Sequence, residues 1–158
     1  MSVLYACVSF TSPHDPRMAP DDYQKKYNPE AISLPINFMT KHNFNNGELI
    51  IRDENLLPFP RTEEAVKEEI AAYYAMISEV DDNIGKILKV LGETGHADNT
   101  IIIFTSDNGL AVGQHGLLGK QNLYDHSVRV PLIISGPGIK NGERTESLVY
   151  LNDVFPTV

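Results

Sequence analysis

A run of β-branched and aromatic residues, Ile101-Ile102-Ile103-Phe104, stops abruptly at Ser106-Asp107-Asn108-Gly109. It is too short for a helix and offers no polar face to solvent, so it predicts a strand buried on both sides. A second run of the same kind, Val130-Pro131-Leu132-Ile133-Ile134, ends in Ser135-Gly136-Pro137-Gly138. Strands of this sort need covering layers, which limits the chain to an α/β arrangement with a mixed, mostly buried sheet flanked by helices. In open α/β sheets ligands gather at the carboxyl ends of strands. Asp107 and Asn108 stand at such an end, and two adjacent hard oxygen donors suit calcium or magnesium better than zinc. His115, in GQHG, and Lys120, in LLGKQNLYD, follow before the second run begins.

The strongest helical signal lies just upstream. Thr62-Glu63-Glu64-Ala65 is close to a capping box. After it Val66, Ile70, Tyr73, Tyr74, Ile77, Val80, Ile84, Ile87, Leu88 and Leu91 recur at three- and four-residue spacing until Gly92 and Gly95. That pattern predicts one amphipathic helix near residues 63–91. Asp81 interrupts the stripe and reads as a structural hydrogen-bonding carboxylate, since a buried carboxylate has to be paired. At the start of the chain, residues 2–10 (SVLYACVSF) predict another strand that stops at Pro13, with Cys7 as a small buried hydrophobe. His14 follows in a proline-punctuated loop. Residues 21–61 read as a long irregular surface excursion broken by Pro29, Pro35, Pro58 and Pro60, with a short helix at DDYQKKY; His42 and Arg52 lie within it. Near the other end, SLVYL predicts a short strand and NDVFPTV the start of a helix.

Composition narrows the function classes. The 158 residues are 42% apolar and 22% charged, enough for one domain with a proper core. A formal net charge of −8 argues against nucleic acid, whose phosphates need clustered Lys and Arg. It leaves open a locally positive site for an anionic ester. No stretch is long enough to span a membrane, and Met1 leads into SVLYACVSF without the basic region and cleavage site of a signal peptide. A single cysteine excludes an intrachain disulfide.

Taken together, strand, SDNG, G-x-HG, GK with a Tyr-acidic pair, and RVPLII-x-GPG, in that order, resemble the metal and substrate segment of the sulfatases, within the alkaline phosphatase superfamily. The resemblance implies that Asp107 and Asn108 are ligands of a divalent ion, calcium with magnesium or manganese as alternatives. It implies that Lys120 binds the sulfate as a catalytic residue, that His14, in a PH-x-P loop, contacts the sulfate or protonates the leaving group, and that His115 either touches substrate or orders its loop. The substrate implied is a sulfate ester, aryl, carbohydrate or small-molecule. A phosphonate or phosphate mono- or diesterase of the same superfamily is the alternative, and a non-catalytic fragment a third reading.

The family's nucleophile is a Cys or Ser converted to formylglycine within Cys/Ser-x-Pro-x-Arg. Cys7 is followed by Val8-Ser9-Phe10-Thr11 and does not fit, nor does Ser12-Pro13. The resemblance therefore implies that residues 1–158 are a middle-to-late part of the catalytic domain. The formylglycine region would lie N-terminal to it and a further subdomain C-terminal. The isolated chain is expected to be inactive towards sulfate esters and to self-associate through exposed sheet edges. A periplasmic, secreted or lysosome-like compartment would suit a parent protein, without the sequence selecting one.

Overall fold

The computed structural model describes residues 4–157. Four α-helices and two strands form in the order α1 (Asp21–Gln24), α2 (Glu63–Glu93), β1 (Ile102–Thr105), α3 (Asp125–Val128), β2 (Leu132–Ser135) and α4 (Val154–Thr157), with short 3-10 turns between them. Helix α2 is where the stripe places it. The Thr62 side chain caps its first turn by accepting the Ala65 amide, Glu63 and Glu64 face the positive end of the helix dipole, and Gly95 reverses the chain at φ 73°. Asp81 is exposed, so it is not the paired carboxylate expected; its neighbour Asp82 instead accepts a hydrogen bond from Tyr23 of α1 at 2.7 Å.

Strands β1 and β2 also form where expected, but their setting differs. They pair antiparallel, Phe104 opposite Ile133 and Ile103 opposite Ile134, as a two-stranded sheet that does not pack against α2. Ile101, Phe104 and Ile133 are 57%, 41% and 58% exposed, so the expectation of burial on both faces is not met. Apolar character recorded the need for a cover, and among the described residues only Val149 and α4 approach it, beside Ile103, Leu132 and Ile134. Residues 4–10 fail for a related reason. They form no strand and lie exposed with Cys7 among them, because a strand exists only by pairing and this segment pairs with neither open edge of the β1–β2 sheet. Ser2 and Val3 of that expected strand lie outside the described residues, as does Val158. SLVYL is likewise unpaired, and the chain turns instead at Leu151–Asp153 into α4.

The core sits elsewhere. The N-terminal half of α2 buries Val66, Ile70, Ala71, Ala75 and Met76, while Tyr74, Ile77, Ile87 and Leu88 further along the stripe stay exposed. Packed on Val66 and Ile70 are Val112 and Leu118 from the loop after β1, together with Ile32, Leu34, Phe38, Leu56 and Leu57. Residues 21–61 are irregular and largely exposed, with a part that faces inward. They wrap the core, bridge to the next loop through Phe38 and Gln114, and bury His42, Asp53 and Glu54. The fold class remains α/β, a helix with a small sheet, and the functional loops rest on packed side chains rather than on a buried sheet.

Candidate functional site

Two loops far apart in sequence meet at one imidazole. Lys120 Nζ lies 3.2 Å from His14 Nε2 across 106 positions, and Arg52 Nη2 lies 3.3 Å from the same nitrogen. His14 Nδ1 sits 3.0 Å from the Asp15 carbonyl and 3.0 Å from its carboxylate. Nδ1 therefore carries the hydrogen, and the Nε2 lone pair accepts from both cations. Arg52 is held in turn by Asp15 at 3.1 Å and by Asp53 at 2.9 Å. Burial pushes the Asp53 carboxyl up, but hydrogen bonds from Arg52 and Gln121 and the charges of Arg52 and Lys120 outweigh it and hold the group below the usual carboxylate range. The result is two cationic donors, an ammonium and a guanidinium, on one partly exposed histidine. Displacement of either donor from Nε2 by an anion would leave fixed positive charge facing it.

Beneath this cluster lies a buried ion pair. The Glu54 carboxylate accepts the amides of Leu118 (3.0 Å) and Gly119 (2.7 Å) and pairs with Arg61 Nη2 at 2.6 Å. Arg61, only 1% exposed, also donates to the carbonyls of Glu54 (2.9 Å), Leu57 and Gly116 (3.4 Å) and lies over the Phe59 ring. A Cβ at position 119 would come within 2.8 Å of Glu54 Oε1, so only glycine lets the loop sit this close.

His115 belongs to a different group. Its Nε2 is 3.0 Å from Asn37 Nδ2, its ring stacks on Tyr124 at 4.2 Å, and its carbonyl is 2.9 Å from buried His42 Nδ1. It takes a left-handed φ of 53° in the turn. These contacts fit a residue that orders its loop. His126 completes the aromatic group, and burial with His115 nearby pushes its pKa down against the weaker opposing pull of Asp125.

Asp107 and Asn108 emerge directly from β1. Asp107 Oδ1 accepts the Asn108 amide at 2.9 Å, and the Asn108 side-chain amide donates to the Gly109 carbonyl at 2.8 Å. No hydrogen bond among the described residues reaches Asp107 Oδ2 or Asn108 Oδ1, so both are available as ligand oxygens, and none joins either residue to His14 or Lys120. No group of three or more His, Cys, Asp and Glu side chains among the described residues is placed to hold a metal ion. The two oxygens fit a hard cation in kind and fall short in number of the about six to eight that calcium takes. Gly109 is pinned: its amide donates to the Ser127 carbonyl at 2.9 Å, and a Cβ there would lie 2.1 Å from the His126 oxygen. The glycine after Asp-Asn is thus required by close approach to α3, not by a left-handed turn.

The structure brings His14 and Lys120 together. Arg52, which sequence reasoning left without a role, stands beside them, and Asp53, Glu54 and Arg61 behind them were missed. The signal that was present is a charged triplet, Arg52-Asp53-Glu54, leading into the apolar Leu56-Leu57-Pro58-Phe59-Pro60 before Arg61. Charges embedded in such a segment must pair with one another.

Comparison with known proteins adds three findings. The family described as Sulfatase matches residues 4–158. A choline-sulfatase of Rhizobium meliloti (strain 1021) is 36% identical over 157 residues, covering 96% of this chain and 30% of the relative, and an arylsulfatase of Clostridium perfringens is 33% identical over 96% of this chain and 32% of its own length. In three dimensions the chain is similar to a phosphonate monoester hydrolase from Silicibacter pomeroyi, with a TM-score of 0.66 at 30% identity over 82% of this chain and 28% of that one. The chain thus spans less than a third of the length of each of these relatives. No helix among the described residues is long and apolar enough to cross a membrane.

Proposed function

This chain belongs to the sulfatase family, and on that premise we propose that it supplies the anion-binding part of an active site that hydrolyses sulfate esters. The observation that carries the reading is the meeting of His14 and Lys120 at 3.2 Å, with Arg52 on the same imidazole nitrogen. An incoming sulfate monoester draws the Lys120 ammonium and one Arg52 donor onto its oxygens, which frees His14 Nε2. With Nδ1 committed to Asp15, the freed Nε2 is the atom that can take up a proton from solvent and pass it on to the leaving oxygen. Lys120, a compact point charge, matches the negative charge that grows on the sulfate oxygens in the transition state.

Asp107 and Asn108 would hold a divalent ion, calcium before magnesium or manganese, through Asp107 Oδ2 and Asn108 Oδ1. When bound, such an ion adds positive charge opposite the developing negative charge on sulfate. Its remaining ligands and the formylglycine nucleophile would come from outside residues 1–158.

A second reading, hydrolysis of phosphonate monoesters, is favoured by the likeness to the Silicibacter pomeroyi hydrolase. Calorimetric titration of the chain with methyl sulfate and with methyl phenylphosphonate, at constant ionic strength, tests both. Binding of methyl sulfate that Lys120→Ala and His14→Ala each weaken at least tenfold is expected. Preference for the phosphonate would transfer the assignment to the second reading, and affinity indifferent to both substitutions would remove the site.

A further inference from the structure

Lys120 is a half-buried loop residue, and the two residues before it are among the most buried in the chain. What holds them is a carboxylate. The geometry points to Glu54 as the positioning residue of Lys120, an assignment that rests on His14 and Lys120 being the anion site. Its two oxygens take the consecutive amides of Leu118 and Gly119, at 3.0 and 2.7 Å, and so fix the backbone from which the Lys120 side chain departs. An ion pair in a core is no better for stability than apolar residues of the same volume. Two oriented acceptors for adjacent amides are something an apolar pair cannot supply.

The neighbours of Glu54 reinforce the point. Asp53 takes Gln121 Nε2 at 3.3 Å on the far side of Lys120 and holds Arg52 at 2.9 Å, while Arg52 reaches His14. Three consecutive residues, Arg52-Asp53-Glu54, thereby tie the His14 loop to the Lys120 loop. Glu54 sets the second of these, and Arg61 pairs with it at 2.6 Å where the carboxylate is only 4% exposed. The separation of His14 and Lys120 follows from this tie and not from the sheet, which packs elsewhere.

Two substitutions separate positioning from simple core stability. Glu54→Asp keeps the charge beside Arg61 and withdraws the oxygens from the two amides by one methylene. Glu54→Gln keeps the reach and one carbonyl oxygen for the Gly119 amide while removing the charge. In the 158-residue chain, binding of methyl sulfate and the nuclear Overhauser contact between Lys120 Hε and the His14 ring are measured beside the urea midpoint. Glu54→Asp is expected to weaken methyl sulfate by about tenfold, the size of one charge-assisted hydrogen bond, and to lose the Lys120–His14 contact. Glu54→Gln is expected to lose more stability and keep the contact. Binding and contact that survive in Glu54→Asp would overturn the assignment, as would losses that track stability across the two variants. Absence of methyl sulfate binding in the unaltered chain, with the contact present and lost in Glu54→Asp, would sink the anion-site reading and leave the positioning role standing.

Discussion

Replacing Arg61 by methionine removes the buried counter-charge of Glu54 on the inner face of the site. The guanidinium is 1% exposed and donates to the Glu54 carboxylate at 2.6 Å and to three backbone carbonyls, those of Glu54, Leu57 and Gly116. Methionine fills a similar volume, so the cavity contribution is small. What remains is a carboxylate without its counter-charge, which costs about 3–5 kcal/mol. The carbonyls deprived of a donor place the loss in the upper half of that range. For a chain with a total stability of about 5–15 kcal/mol this is a large fraction. It corresponds to a fall in Tm of roughly 8–20 °C at about 2–4 °C per kcal/mol for a chain of this size. Urea unfolding followed at 222 nm reads it directly, because the 31-residue α2 dominates that signal. Arg61→Lys should recover part of the loss only, since one ammonium cannot reach a carboxylate and three carbonyls at once. A loss below about 1 kcal/mol for Arg61→Met would mean that water serves Glu54 as well as Arg61 does, and the argument for a dry ion pair would fail.

Lys120→Ala, introduced into an active polypeptide that contains this chain, should lower kcat on an aryl sulfate by about two to three orders of magnitude, or roughly 3–4 kcal/mol; an unchanged kcat with a raised KM would take Lys120 out of the transition state. His126 is held below its ordinary pKa chiefly by burial, so the unfolded chain takes up its proton first. Its contribution to stability is complete above about pH 6.5 and is lost as pH falls through the folded value, and His126→Gln should flatten the urea midpoint over that window. Gly109→Ala sets a methyl group against the His126 carbonyl, 2.1 Å from its ideal position, and should cost about 1–3 kcal/mol by thermal unfolding, with a neutral result refuting the close approach. Phe104 and Ile133 face each other across the sheet at 41% and 58% exposure. Sedimentation should therefore show concentration-dependent association that Phe104→Lys with Ile133→Lys suppresses.

Legibility in the sequence followed the range of the interactions. Helix α2 could be read because its stripe, its Thr62 cap and its closing Gly95 are local features. Strands β1 and β2 could be placed for the same reason, but not their pairing or their exposure, which depend on partners distant along the chain. Residues 4–10 show the limit most plainly, since an apolar segment records that a partner is wanted and not that one is there. His14 and Lys120 were legible only through the family resemblance, because nothing local ties positions 106 residues apart. Nothing local marks Asp53, Glu54 and Arg61 as buried while Arg52 beside them stays exposed. That difference becomes visible only when the amides of Leu118 and Gly119 arrive to meet Glu54.

The charge in the cluster bears on which ester it suits. Lys120 and Arg52 contribute two positive charges, and Asp15 and Asp53, both on Arg52, contribute two negative ones. With His14 neutral the cluster has no net charge, and its positive end is Lys120, the cation without a carboxylate partner among the described ion pairs. A singly charged anion brings such a site to one net negative charge and a doubly charged one to two, so the smaller surplus in a partly dehydrated place goes with the singly charged anion. Sulfate monoesters and phosphonate monoesters are both singly charged near neutral pH, whereas a phosphate monoester is largely doubly charged. Charge therefore does not separate the two readings of the site, but it does disfavour phosphate monoesters under both. If Asp53→Asn, which takes one carboxylate from Arg52, shifts selectivity towards a doubly charged ligand such as methyl phosphate, the balance around Arg52 is what sets the preferred charge. Selectivity that does not move would place the discrimination in the shape of the pocket instead.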